Sequence, residues 1–154
     1  MALSLKDNQK GTMLVNLLVV LGIVALMTTI TIPYLRRYQP NLKLTANGRE
    51  IASNLRLAQQ LTITEQVPHL VFFDFSNDRY SILRLPSPLA TSTLLTVDLD
   101  SEVAFQQVNG LTGNMVRFNS YGAVSESGDV VLINTNSKIA TINIKPSGYI
   151  QLIQ

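Results

Sequence analysis

Cysteine is absent from this chain, which removes disulfides, thiolate nucleophiles and cysteine-based metal sites together. A domain without such staples is held by its core alone, and about 110 residues beyond an apolar N-terminal stretch are enough to build one. Histidine occurs once, as His69. With Glu65 four residues earlier it could start a metal site, but such sites take three or four ligands, and Pro68 intervenes. A Ser-His-Asp triad would need the same histidine, and no Gly-x-Ser-x-Gly elbow accompanies it. Charge is scarce too: charged residues are 14% of the 154 and the net charge is +2. That is too little to steer the whole molecule to nucleic acid or acidic lipid. The chain therefore reads as a non-enzyme, with no catalytic residue, metal ligand or cofactor expected.

The shortage of charge is uneven. Hydrophobic residues make up 46% of the chain, and no charged residue occurs from Gly11 to Tyr34. Met13 to Ile32 reads MLVNLLVVLGIVALMTTITI. At ~1.5 Å per residue, a helix of about twenty residues crosses the ~30 Å hydrocarbon core of a bilayer. Asn16 is its one strongly polar side chain, while Thr28, Thr29 and Thr31 can return their hydroxyls to the preceding turn. Lys6 and Lys10 precede the span, and the positive-inside rule puts that end in the cytoplasm; Arg36 and Arg37 on the far flank pull the other way. A secretory signal peptide would have a shorter apolar region and a small-residue cleavage site after it, which Thr-Ile-Thr-Ile-Pro does not provide. The apolar run taken by itself also fits a permanent signal anchor.

Beyond Pro33 the pattern changes. Ile51, Leu55, Ala58 and Thr62 follow helical spacing, with Ala52 and Leu61 beside them and Arg49, Arg56 and Gln60 on the other side. This is an apolar stripe made to pack on a sheet. Pro40 and Gly48 read as interruptions, Thr45 to Gly48 as the start of a second helical segment, and Val67-Pro68 as its end. From His69 onward the period becomes alternating. Eight strands are expected: Leu70 to Phe75, Arg79 to Leu83, Leu94 to Leu99, Val103 to Val108, Val116 to Phe118, Val130 to Ile133, Ile139 to Ile144 and Tyr149 to Leu152. Pro86-Ser87-Pro88 and Ala90 to Thr93 read as a loop. Asp98, Asp100 and Glu102 alternate like the wet face of a strand, without the order of a calcium loop. Ser125 to Asp129 reads as an exposed turn.

The residues Lys10-Gly11, directly followed by an uncharged apolar helix, resemble the type IV pilin superfamily, which includes the pseudopilins of type II secretion. The resemblance implies that a membrane prepilin peptidase cuts between Gly11 and Thr12 and N-methylates Thr12. Pro33 falls where many pilins carry a helix-loosening proline. Thr12 stands where the family has an aromatic residue, and Asn16 where it has a glutamate that is thought to pair with a neighbour's terminal ammonium. Asn16 cannot ionise but can hydrogen-bond between helices, at ~0.6–2 kcal/mol; this points to a minor subunit and not to a major, self-polymerising pilin. Ala52 to Leu61, the Val116-Arg117-Phe118-Asn119-Ser120-Tyr121-Gly122 stretch and the closing Ile142 to Ile150 resemble, in order, GspH/FimT-type pseudopilins.

The expected fold is α+β: a long N-terminal transmembrane helix packed on an antiparallel β-sandwich or sheet domain. The expected layout is a leader at 1–11, a transmembrane helix at 12–34, an amphipathic helical segment at 35–68 and an extracytoplasmic β domain at 69–154. The implied partners are prepilin peptidase, other pilin or pseudopilin subunits and membrane lipid, in a single-pass cytoplasmic membrane protein that becomes filament-associated. Two other readings stay open: a permanently anchored module that binds a ligand with its β domain, and a minor pilin of DNA uptake. Relatives in DNA uptake use an arginine-rich turn near the C-terminus; Gly148-Tyr149-Ile150-Gln151 has no arginine, so nucleic acid is not an expected partner.

Overall fold

The computed structural model describes residues 6–87 and 90–153. Among the described residues one α-helix, α1 (Lys6–Glu65), is followed by eight strands, with a short 3-10 turn (Thr112–Asn114) before the fifth: β1 (His69–Asp74), β2 (Arg79–Ser87), β3 (Ala90–Asp98), β4 (Val103–Asn109), β5 (Met115–Phe118), β6 (Gly128–Asn134), β7 (Ile139–Ile144) and β8 (Ile150–Ile153). They form two antiparallel four-stranded sheets, ordered β3-β2-β1-β5 and β4-β6-β7-β8. The chain divides into two compact units between Gln39 and Pro40. The first contains the apolar part of α1, and the second contains the rest of α1 with both sheets.

The second unit is organised by the helix stripe. Ile51, Leu55 and Ala58 are fully buried, and Leu44, Ala52 and Thr62 nearly or fully so. The apolar members share one core with Val71, Phe73, Tyr80, Ile82, Val116 and Phe118 of the first sheet and Val103, Phe105, Val130, Leu132, Ala140, Ile142, Ile144 and Ile150 of the second. Phe105 links the sheets directly. Its ring centroid lies 5.6 Å from that of Phe73, edge to face, and 5.4 Å from that of Phe75, both favourable aromatic separations. Arg49, Arg56 and Gln60 face solvent, as the helical spacing predicts.

Three features differ from expectation. The helix does not stop or restart at Pro40 or Gly48. A proline deletes only one i→i−4 bond, and the bonds on either side carry α1 past Pro33 and Pro40. Gly48 is a contact point and not a break: a Cβ there would sit 3.0 Å from Leu152 Cδ1, so its bareness lets β8 approach the helix. The third difference is the expected loop after Leu83. Leu83 pairs with Thr93, Arg84 with Ser92 and Ser87 with Ala90, so β2 and β3 continue as an extended ladder. The register shifts between Arg84 and Ser87, an irregularity that accommodates Pro86, which has no N–H to donate. Pro88 lies outside the described residues.

His69 marks the helix-to-strand corner, as expected. Gln66, just after α1, takes φ +56° and turns the chain. The His69 backbone N–H donates to Thr62 Oγ1 at 3.1 Å, and the Thr62 hydroxyl donates to the Ala58 carbonyl at 2.8 Å. His69 Nδ1 lies 2.8 Å from the Val67 carbonyl. A carbonyl can only accept, so Nδ1 carries the proton in that bond. The Glu65 carboxylate pairs with Arg84 Nε, and the same oxygen lies 3.9 Å from His69 Nε2.

Tyr80 is the largest fully buried side chain, and its hydroxyl accepts a 2.6 Å hydrogen bond from Asn54 Nδ2 on the helix. Burial pushes this hydroxyl up to about 12; the Asn54 hydrogen bond lowers it, and the Glu50 charge raises it. An unfolded tyrosine titrates near ~10. Between those two values the native state holds a proton that the unfolded chain has released, so stability is fully present below pH ~10 and falls as pH rises toward ~12. Denaturant unfolding of the detergent-solubilised chain should lose about 2–3 kcal/mol over that window. Tyr80→Phe should lack this component. Parallel pH profiles for wild type and variant would contradict the assignment.

Candidate processing and assembly site

Every side chain from Gly11 to Gln39 is exposed. Such a surface is foreign to water: Leu14, Leu17, Leu18, Leu26, Met27 and Ile30 are each more than three-fifths exposed. The run is long and apolar enough to cross a membrane. Its polar atoms are largely satisfied from within. Thr28, Thr29 and Thr31 donate to the carbonyls of Val24, Ala25 and Met27 at 2.7–2.8 Å, the back-bonding that lets a hydroxyl sit in an apolar helix.

Gly11, Thr12, Asn16 and Pro33 all lie within α1. A Cβ at Gly11 would meet nothing within 4 Å, so the peptide at that position is open to an approaching partner. The leader expected at 1–11 is helical over its described part, from Lys6; Met1 to Leu5 lie outside the described residues. Thr12 and Asn16 are separated by one helical turn and share a side of the rod. Asn16 is exposed, and its amide makes no hydrogen bond among the described residues, leaving two donors and an acceptor to offer a second helix. Pro33 is about 25 Å further along the axis than Asn16 at the α-helical rise. These four residues therefore form no pocket; they punctuate one face-exposed rod.

In the second unit, polar side chains at the borders of the buried stripe hold the helix to the strands. Asn41 Oδ1 accepts from Asn134 Nδ2 at 2.9 Å, and Asn47 Nδ2 donates to Asp100 Oδ2 at 2.8 Å. Lys43 Nζ lies 3.1 Å from Glu102 and 3.9 Å from Asp100. Two of the three alternating acids thus clamp the helix, while Asp98 pairs with Arg79 at 3.5 Å. The expected turn at Ser125 to Asp129 is exposed over Ser125 to Ser127, and Glu126 accepts from the Thr112 N–H.

A further clasp lies nearer the helix end. Gln59 Nε2 donates to the Gly122 carbonyl at 2.6 Å, and Arg56 donates to the Ile150 carbonyl at 3.0 Å. Gly122 and Gly148 take φ +81° and +80°. A Cβ on Gly148 would collide with the Gly122 carbonyl and with Gln59. The turn after Phe118 and the closing hairpin therefore meet over one helix residue. Sequence reading did not single out Gln59, Asn54 or Asn47. The available signal was polar residues that border an apolar stripe at near-heptad spacing.

No protein-family model and no curated protein matches the chain. Solved structures do. The minor pseudopilin EpsH from the type 2 secretion system of Vibrio cholerae aligns with a TM-score of 0.63 at 12% identity, over 72% of this chain and 96% of that one. The type IV minor pilin FimU of Pseudomonas aeruginosa aligns with a TM-score of 0.58 at 15% identity, over 76% of this chain and 92% of that one. At such identities the likeness shows the fold. This chain has the α+β pilin-like fold that the sequence resemblance implies.

Gly148→Ala should cost at least about 2 kcal/mol, because it combines positive-φ strain with a backbone collision. Denaturant unfolding in detergent would measure it. A variant as stable as wild type would remove the clasp from the account.

Proposed function

We propose that this chain is a minor pilin or pseudopilin, a structural subunit of a type IV pilus or type II secretion-like filament. The carrying observation is the conjunction of a pilin-like β domain with an uncharged, wholly exposed helical run directly behind Lys10-Gly11. In this reading the 12–34 segment is stored as a single span of the cytoplasmic membrane, with its N-terminus cytoplasmic and the β domain outside. Prepilin peptidase removes the leader between Gly11 and Thr12 and methylates the new amino group.

Assembly follows from the same surface. In lipid the exposed apolar side chains are solvated by acyl chains, so helix association draws on packing and polar contacts and not on the hydrophobic effect. A buried carboxylate would force pairing, because an isolated charge in the bilayer is costly. Asn16 lacks that compulsion and adds a hydrogen bond of ~0.6–2 kcal/mol. That favours insertion beside a more strongly docking subunit, at low copy number. Pro33 loosens the helix where the span ends.

Co-expression with a prepilin peptidase tests the reading. The mature chain should begin at Thr12, with its mass raised by one methyl group, and Gly11→Val should block the cut. A chain still carrying its leader under those conditions and found only in membranes would favour a permanently anchored binding module instead.

A further inference from the structure

The corner between α1 and β1 holds the chain's one histidine in an incomplete arrangement. His69 is fully buried, and its Nδ1 proton is committed to the Val67 carbonyl. In that neutral ring Nε2 carries a bare lone pair. The nitrogen has no hydrogen-bond partner among the described residues. It lies 3.9 Å from Glu65 Oε2, the same oxygen that holds Arg84 Nε. Two acceptors thus confront each other with no proton between them, where an unpaired buried polar atom is costly.

The charges around the ring are few. The helix contributes Glu65, the one carboxylate within ion-pair distance of the ring among the described residues. Strand β2 places Arg84 opposite His69, and β5 places Phe118 there. Arg117 pairs with Leu70 instead, which puts it on the other face of the sheet. On β1 itself the nearest charged residue is Asp74, five positions away. Tyr121 in the turn after β5 is 92% exposed and takes no part. Thr62 adds a neutral hydroxyl 3.2 Å from Nδ1.

We propose that His69, Glu65 and Arg84 form a proton-operated latch: in mild acid the folded chain binds one proton at His69 Nε2, and Glu65 shifts from Arg84 to the imidazolium. Histidine is the side chain whose charge ordinarily changes between about pH 5 and 8. Burial and the Arg84 guanidinium oppose the new charge, while an anion about 4 Å away favours it. The proton comes from water, adds to the Nε2 lone pair and displaces nothing. The tie from the helix end to β2 is thereby exchanged for one to β1. Glu65 and Arg84 are 33% and 35% exposed, so water can take over the guanidinium without opening the core. The latch does not rest on the filament reading and stands or fails apart from it.

A sole histidine makes the test direct, because nitrogen NMR of the full-length chain in detergent, labelled at histidine, shows one imidazole. At pH 8 the proton should sit on Nδ1 with Nε2 bare. Between pH 8 and 5 the Nε2 signal should move to that of a protonated nitrogen while the backbone amides of β1 and β2 keep their native positions. In Glu65→Gln, which lacks the counter-charge, the same step should need at least about threefold more acid. A proton already on Nε2 at pH 8, or an Nε2 that stays bare to pH 5, would overturn the latch. So would protonation only as the native amide signals vanish, or the same step in wild type and Glu65→Gln.

Discussion

Burial of one face of α1 is the constraint from which the second unit is built. Ile51, Leu55 and Ala58 have no exposed surface, and the core they enter takes side chains from both sheets. Burying a Leu or Ile side chain is worth about 1.5–3 kcal/mol, so a few such residues rival the whole net stability of an ordinary domain. Without the helix, Tyr80 of one sheet and Ile142 and Ile150 of the other would lose their cover. In a chain with no cysteine to tie them, the strands depend on that rod.

Polar contacts at the edges of the stripe give the packing its register. Asn54 reaches Tyr80 in the first sheet, while Arg56 and Asn41 reach the second. A helix held by apolar contacts alone could slide or rotate at small cost. One held by amides matched to single buried partners cannot, because a slip leaves them unsatisfied. Gln59 adds the turn after Phe118 and the closing hairpin to the same helix, so the last strand is tied to the element that opens the chain.

Much of this was legible beforehand. Each of the eight expected strands has a counterpart, and strands such as β5 and β7 keep one face in the core and one nearer water, as alternation requires. The helix stripe was visible for the same reason. Pro40 and Gly48 were misread because local propensity is a weak prior that tertiary packing overrides: Pro40 is buried and Gly48 admits Leu152. The β2–β3 extension was hidden because Ser, Thr and Pro compose loops and exposed edge strands alike. At the candidate site, Gly11, Thr12, Asn16 and Pro33 came from a pattern along the chain. Gln59 and Asn54 act through partners 63 and 26 residues away, which periodicity along one element does not reveal.

The apolar rod of the first unit is exposed along its length and long and apolar enough to cross a membrane; in the proposed function it meets acyl chains and other helices in turn. Site-specific photo-crosslinking from Leu18 in cells that assemble filaments tests this most directly. The account predicts crosslinks to the N-terminal helix of another subunit in sheared filaments. Abundant protein that crosslinks only to lipid, with none recovered in filaments, would contradict it.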